Sequence, residues 1–288
     1  EKLAGAGNKV AWFCDFQSID AAITRGVAGA LEVQAQVSVF DFPREKTWFG
    51  RSDITGLEVF AERARVPYKP EMKVYSEFRK ELQAGLPDIY AECITRRCRF
   101  AEDYGHDFDI DRLIANKEDF WIQDYRAHRQ NFRGRMVKIL VNTGGNCNRP
   151  AIDLLWRGVA AIALADILEP VGYRVQIEGV IPVSYLSRAG EEYCARTILK
   201  TFDMPVNPES IMRAVSAWFF RPITFGNFFL SRKNSVVSSL GSTGLLNNLK
   251  PVFKQRLELE GQELLIDDIW GRGAAMRFIR ESVEVFRD

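Results

Sequence analysis

The chain has 288 residues, 47% of them hydrophobic, which is enough for one large or two small domains with a sizeable core. Lysine and arginine (39) nearly balance aspartate and glutamate (38), so the net charge of +1 gives no global preference for nucleic acid or an anionic membrane. The five cysteines, Cys14, Cys93, Cys98, Cys147 and Cys194, are odd in number and scattered, which predicts free thiols in a reducing compartment, and no apolar run of roughly 18 residues stands alone as a membrane span.

The first 46 residues read as an α+β region packed on the rest and adding edge structure. Val10 to Phe16 has strand character. Ile19 to Leu31 has helical spacing, with Gly26 and Gly29 expected to break it, and Val33 to Phe42 alternates as a strand that Pro43 stops. After Trp48-Phe49-Gly50, Asp53 is placed to cap a helix through Leu57, Phe60, Ala61 and Ala64, which Pro67 and Pro70 end. Residues 71–90 read as a polar connector with scattered apolar positions and some helix or strand. The predicted division is an N-terminal α+β region over 1–90 and an α/β domain over 91–288.

Residues 91–135 hold an acidic patch and then a basic one. Asp107, Asp109 and Asp111 have the alternation of a calcium loop. The sixth position is Arg112 where that loop needs glycine, so Phe108, Ile110 and Leu113 are read instead as a capped, apolar entry to a helix. Arg126, Arg129, Arg133, Arg135 and Lys138 face only Asp124, with Trp121, Tyr125 and Phe132 interleaved. Such a stretch can grip a nucleic-acid strand, and a solvated helix face leading into a strand is the plain alternative. His106 and His128 lack ligands at metal spacing.

Met136 to Val141 is a short apolar strand running into the turn Asn142-Thr143-Gly144-Gly145-Asn146. Asn148 is the expected N-cap, with Arg149 and Pro150 in the first turn, of a helix over 152–168 that is apolar on nearly every side and therefore buried between layers. Pro170 and Gly172 stop it, and Tyr173 to Val180 is a second strand. The unit predicts a parallel pair with a crossover helix. Its first loop lies where open parallel sheets place their sites, so Asn142, Thr143, Gly144, Gly145 and Asn146 are the candidate binding residues, against the alternative of a structural turn. Cys147 beside the helix start is a minor candidate thiol nucleophile.

Glu191 to Phe202 reads as a strand, and Glu209 to Phe219 as a helix ended by Arg221-Pro222. Phe225, Phe228, Phe229 and Leu230 form an aromatic cluster assigned to core packing. Ser235 to Asn248 reads as a loop, Glu263 to Ile269 as a last strand and Ala274 to Phe286 as a closing helix. No phosphate-binding loop, nucleophile elbow or zinc-protease motif is present.

The pattern LVNTGGN, an alanine-rich helix and GYRVQIEGV resemble the start of a von Willebrand factor A-type (VWA) domain. More narrowly, the stretches 48–64, 104–113, 136–180 and 211–226 are similar to a VWA-like family of bacteria and phages. The resemblance implies a doubly wound, mostly parallel α/β sheet of VWA or Rossmann type with an α+β N-terminal extension. Metal-binding members carry Asp-x-Ser-x-Ser at the end of the first strand. Here Asn142, Gly144 and Asn146 stand there, with neither carboxylate nor hydroxyl, so the resemblance implies a degenerate adhesion-type metal site holding no metal and no cofactor. Thr243 lies in a downstream loop without aligning to that family's threonine. The function implied is a non-catalytic protein–protein interaction module, with an AAA+ ATPase or a virion component as candidate partners, no membrane, and a cytoplasmic location, which is the host cytoplasm or a virion if the chain is phage-encoded. The alternatives are a phage structural or nucleic-acid-associated protein using 120–138, and an enzyme with an anion site at Thr143–Asn148.

Overall fold

The computed structural model of the chain describes residues 2–4, 10–33, 50–54, 56–85, 97–101, 107–108, 117, 121–125, 135–145, 149–170, 172–183, 192–231, 244–260 and 263–286. In chain order the elements are β1 (Lys2–Ala4), β2 (Val10–Phe16), α1 (Ile19–Val33), α2 (Leu57–Arg63), α3 (Lys69–Gly85), β3 (Arg97–Ala101), β4 (Asp107–Phe108), β5 (Trp121–Tyr125) and β6 (Met136–Asn142). There follow α4 (Ala151–Leu168), β7 (Arg174–Val183), β8 (Glu192–Lys200), α5 (Pro208–Val215), α6 (Phe225–Ser231), α7 (Pro251–Arg256), β9 (Leu264–Ile266) and α8 (Arg272–Val285).

The fold is mixed α/β. A six-stranded sheet runs in the order β1-β2-β8-β7-β6-β9, and β3-β5-β4 form a small antiparallel sheet. In the large sheet β2–β8, β7–β6 and β6–β9 are parallel, while β1–β2 and β8–β7 are antiparallel. β6 to β7 is the parallel pair with a crossover helix that the sequence predicts. β1 and β2 add the edge next to β8, with Ala11 to Phe16 in register against Glu192 to Thr197.

Alternation along β6 assigns its two faces. Val137, Ile139 and Val141 point into the main core with α4, while Leu140 points to a smaller cluster with Phe13, Val180, Phe253 and Leu257. α4 lies on the sheet and is flanked by α3, α5 and α8, which explains why a helix can be apolar all round. Gly158 brings it against α5, since a Cβ there would sit 2.6 Å from a Val215 methyl. α4 ends as predicted: Gly172 takes φ +102° and Tyr173 N–H bonds back to the Leu168 carbonyl at 3.2 Å. On the smaller-cluster face Asp15, Arg196, Glu178 and Lys138 make a ladder of charges across β2, β8, β7 and β6.

Several local expectations are corrected. Gly26 and Gly29 do not break α1. They let it cross α6 at backbone contact, where a Cβ on Gly29 would fall 2.0 Å from the Gly226 carbonyl oxygen. Asp53 caps nothing: α2 starts after Gly56 with no side-chain cap, and Asp53 is paired with Arg51 at 2.8 Å. The connector at 71–90 is largely the helix α3, with Tyr75, Phe78 and Leu82 buried on one face and Pro70 harmless in its first turn. Asp107-Phe108 is a short strand, and Ile110 and Leu113 of the predicted helix entry lie outside the described residues. The N-cap of α4 is Pro150, without a side-chain bond. The helix predicted over 209–219 stops at Val215, turns at Ser216, and Arg221-Pro222 continues it as a π-helical stretch, Phe220–Thr224, into α6. Trp156 is only half-buried, edge-on to Phe78 at 5.6 Å, whereas Ile162 is wholly buried. Phe228 packs in the core against Tyr193 at 5.1 Å. The strand predicted over 33–42 lies outside the described residues except Val33, which closes α1.

Candidate functional site

β6 lies between β7, which follows it through α4, and β9, which the chain reaches much later. The chain therefore leaves β6 toward β7 on one side and returns as β9 on the other. This is the switch point where open α/β sheets place ligands. Asn142 closes β6 there, and Thr143, Gly144 and Gly145 follow it, all buried.

The Asn142 amide is fully engaged. Its Nδ2 donates to the Asp267 Oδ1 at 2.7 Å and to the Gly244 carbonyl at 3.0 Å, and its Oδ1 accepts the Gly144 N–H at 3.0 Å. The second Asp267 oxygen accepts the Leu246 N–H at 2.5 Å. Thr143 N–H donates to the Val180 carbonyl and Gly244 N–H to that of Pro182, at 3.1 and 2.7 Å. The loop is thus tied to the ends of β7 and β9 and to the segment 244–246. Gly145 fits because a Cβ would meet a Leu154 methyl at 2.4 Å.

Beneath the loop lies Arg157, wholly buried on α4. Its Nη1 donates to the Asn142 carbonyl, and its guanidinium stacks 4.3 Å from the centre of the Trp270 ring, which Arg149 also approaches at 4.6 Å. Nε and Nη2 of Arg157 have no hydrogen-bond partner among the described residues. Burial pulls its pKa down to about 9, while the carboxylates of Asp267 and Asp268 oppose the shift. Trp270 is oriented by its own N–H, which donates to Asp268 at 2.9 Å.

These residues do not fit an adhesion-type metal centre. The end of β6 offers a neutral amide, and both oxygens of the one nearby aspartate in the network are already accepting. Among the described residues no group of three or more His, Cys, Asp and Glu could hold a metal ion.

Asn142, Thr143, Gly144 and Gly145 are brought together as the sequence suggests, and Asn146, Cys147, Asn148 and Thr243 lie outside the described residues. Arg126, Arg129 and Arg133 lie outside them too. Arg135 precedes β6, at the end of the strand away from the loop, and donates to the Tyr173 hydroxyl at 3.3 Å. Lys138 donates to the Leu257 carbonyl at 3.0 Å and sits 3.8 Å from Glu178. Asp267, Arg157 and Trp270 were missed by sequence reasoning. Only the two adjacent aspartates inside the predicted last strand, and an arginine inside an apolar helix, hinted at them.

Fold and site define an open-sheet α/β protein with its polar loop at the switch point. The sequence matches, over residues 16–245, a family described as a domain of unknown function (DUF7192), and the chain belongs to that family. No curated protein and no solved structure shows significant similarity to it. Among the described residues no helix is long and apolar enough to cross a membrane.

Proposed function

We propose that this protein is a non-catalytic, VWA-like interaction module that docks a protein partner, such as an AAA+ ATPase or a virion component, on the surface around the carboxyl end of β6. The observation that carries the reading is the closed hydrogen-bond network of Asn142. The polar atoms at the switch point hold the loop to its neighbours, which suits a rigid docking platform and leaves no activated acid, base or nucleophile among them. The degenerate metal motif agrees with it, because a neutral amide takes the place of the carboxylate. A photo-crosslinking residue at exposed Arg149, compared with one at exposed Glu284 on the opposite end of the sheet, tests it in host extract. A discrete protein adduct at Arg149 alone is expected; adducts equal at both positions would sink the reading.

One observation favours a second reading, an oxyanion site under the same loop: the two unpartnered nitrogens of buried Arg157. Millimolar phosphate raising the melting temperature of the wild type, but not of Arg157→Met, would favour it. The nucleic-acid reading rests on Arg126, Arg129 and Arg133, since Arg135 and Lys138 are bonded within the fold.

A further inference from the structure

A pocket of about 290 Å³ opens between the start of α3 and the start of α4, and no residue of the Asn142 hydrogen-bond network lines it. Its wall includes Gly50, Tyr68, Val74, Ile152 and Leu155, and the one acid among its described lining residues is Glu71. The volume is near the lower end of ligand pockets, roughly 300 Å³, and well above the roughly 150 Å³ cavity that takes up benzene. The space is built in. Gly50 holds φ +80°, and a Cβ there would lie 2.7 Å from the Ala151 Cβ, so a side chain is excluded twice over.

Glu71 is nearly buried, at 5% exposure. Trp218 Nε1 donates to its Oε1 at 2.8 Å, and the Ser216 hydroxyl lies 2.9 Å from its Oε2. Ser216 Oγ is also 2.6 Å from the Met212 carbonyl. A hydroxyl has one proton, so it cannot serve both acceptors. With Glu71 protonated, the carboxyl donates to Ser216 and Ser216 donates to Met212. With Glu71 ionised, Ser216 turns to the carboxylate.

A glutamine would accept from Trp218 at its oxygen and donate to Ser216 through its amide nitrogen, as the protonated carboxyl does, without the cost of burying an ionisable group. The property that distinguishes a carboxyl here is that it can take a negative charge. Arg51 does not neutralise that charge directly. It is committed to Asp53 through Nε and Nη2, at 2.8 and 3.0 Å, and stacked between Tyr68 and Trp218 at 4.9 and 4.7 Å. The Tyr68 hydroxyl is paired with Ser52 at 3.2 Å. The wall contributed by α4 is apolar. The pocket therefore offers an apolar stem site with Glu71 in its wall, Trp218 and Ser216 in place to donate to that carboxyl once it is ionised, and, among the described residues, no cation paired with it.

We infer that this pocket binds a small organic ammonium with an apolar stem, taken up with Glu71 as its counter-ion. The burial that holds Glu71 near pKa 8 keeps it protonated in the empty pocket at neutral pH; Arg51 acts on it in favour of ionisation and Asp53 against. Binding a cation then expels the carboxyl proton to solvent. Affinity rises about tenfold per pH unit up to pH 8, is level above it, and falls once the amine itself loses its proton near pH 10.

The test is calorimetric titration of the full chain with n-pentylammonium, 1-pentanol and pentanoate, in two buffers of different ionisation heat. The expected result is ammonium binding with about one proton released at pH 6.5 and about none at pH 9, pentanol about tenfold weaker or worse, and no pentanoate binding. Glu71→Gln, checked for folding by circular dichroism, loses the preference for ammonium over alcohol. Should it fail to fold, Ile152→Trp keeps the carboxyl, fills the mouth and abolishes ammonium binding. A capped lysine amide distinguishes the sources: binding only of pentylammonium points to free amines, and binding of both extends the site to lysine side chains of proteins. Equal binding of ammonium and alcohol without proton release, or no binding of any probe to the wild type, overturns the inference.

Discussion

Asn142 makes three side-chain hydrogen bonds, each to a different part of the chain, so its replacement reports on the whole switch point. Asn142→Ala strands the Asp267 carboxylate and the Gly144 N–H and is expected to cost about 1–3 kcal/mol in chemical denaturation. Wild-type protein should show the same melting temperature with and without millimolar Mg²⁺, because a saturable site on the native state would raise it. A Mg²⁺-dependent rise that Asn142→Ala removes would show that the metal motif is not degenerate in function. Glu71 gives the clearest pH signature. Burial lifts its carboxyl from 4.5 to about 8, so the folded chain holds a proton that the unfolded chain has released. The unfolded state binds fewer protons between those values, and the contribution of Glu71 to stability therefore declines as pH rises from about 4.5 to 8, by an order of a few kcal/mol. Denaturant midpoints at pH 5, 7 and 9 should fall more steeply for the wild type than for Glu71→Gln; parallel curves would mean that the carboxyl ionises freely in the fold.

The elements legible in the sequence are those whose signal is local. β6, α4, β7 and β8 each carry an apolar run with a marked start or stop, and the structure places them within a few residues of expectation. α3 carried its signal too, with Tyr75, Phe78 and Leu82 at helical spacing, but dense charge between them and two nearby prolines masked it. Gly26 and Gly29 were misread because glycine is a breaker only where nothing packs on it. Here the absent side chains allow α1 and α6 to touch, and Asn227 Nδ2 donates to the Ala22 carbonyl across the crossing at 3.0 Å. Gly29→Ala should cost about 1–3 kcal/mol or more, since backbone, not a mobile side chain, stands in the way. Ile162→Ala in α4 should cost about 2–5 kcal/mol, because the residue has no exposure and the helix is enclosed by sheet and helices. A loss below about 1 kcal/mol in equilibrium unfolding would mean that this layer is loosely packed. The site itself was half legible: the loop was found from its glycines and its place after a strand, whereas Asp267 meets Asn142 across a separation of 125 residues that no local pattern encodes.

At the scale of the molecule, β2 joins the edge of the sheet to its centre. It pairs in parallel with β8, and through Phe13 it belongs to the same cluster as Leu140 of β6 and Phe253 of α7. α1, which follows it, is held against α6. Removing β1 and β2 would leave the whole edge of β8 unpaired, with its backbone groups open to another chain. The N-terminal strands should therefore open together with the rest of the sheet rather than as a separate unit. Two buried cysteines read this out: Cys14 on β2 and Cys194 on β8. Burial holds the Cys194 thiol well above its usual range, which leaves almost no reactive thiolate while the sheet is closed. Thiol labelling followed peptide by peptide by mass spectrometry, in low denaturant, should find both cysteines modified at one slow rate with the denaturant dependence of global unfolding. If Cys14 is modified orders of magnitude faster, with a shallow dependence, β1 and β2 detach on their own. In that case β8, not β1, is the working edge of the sheet, and the exposed strand becomes the place to look for a partner that pairs with it.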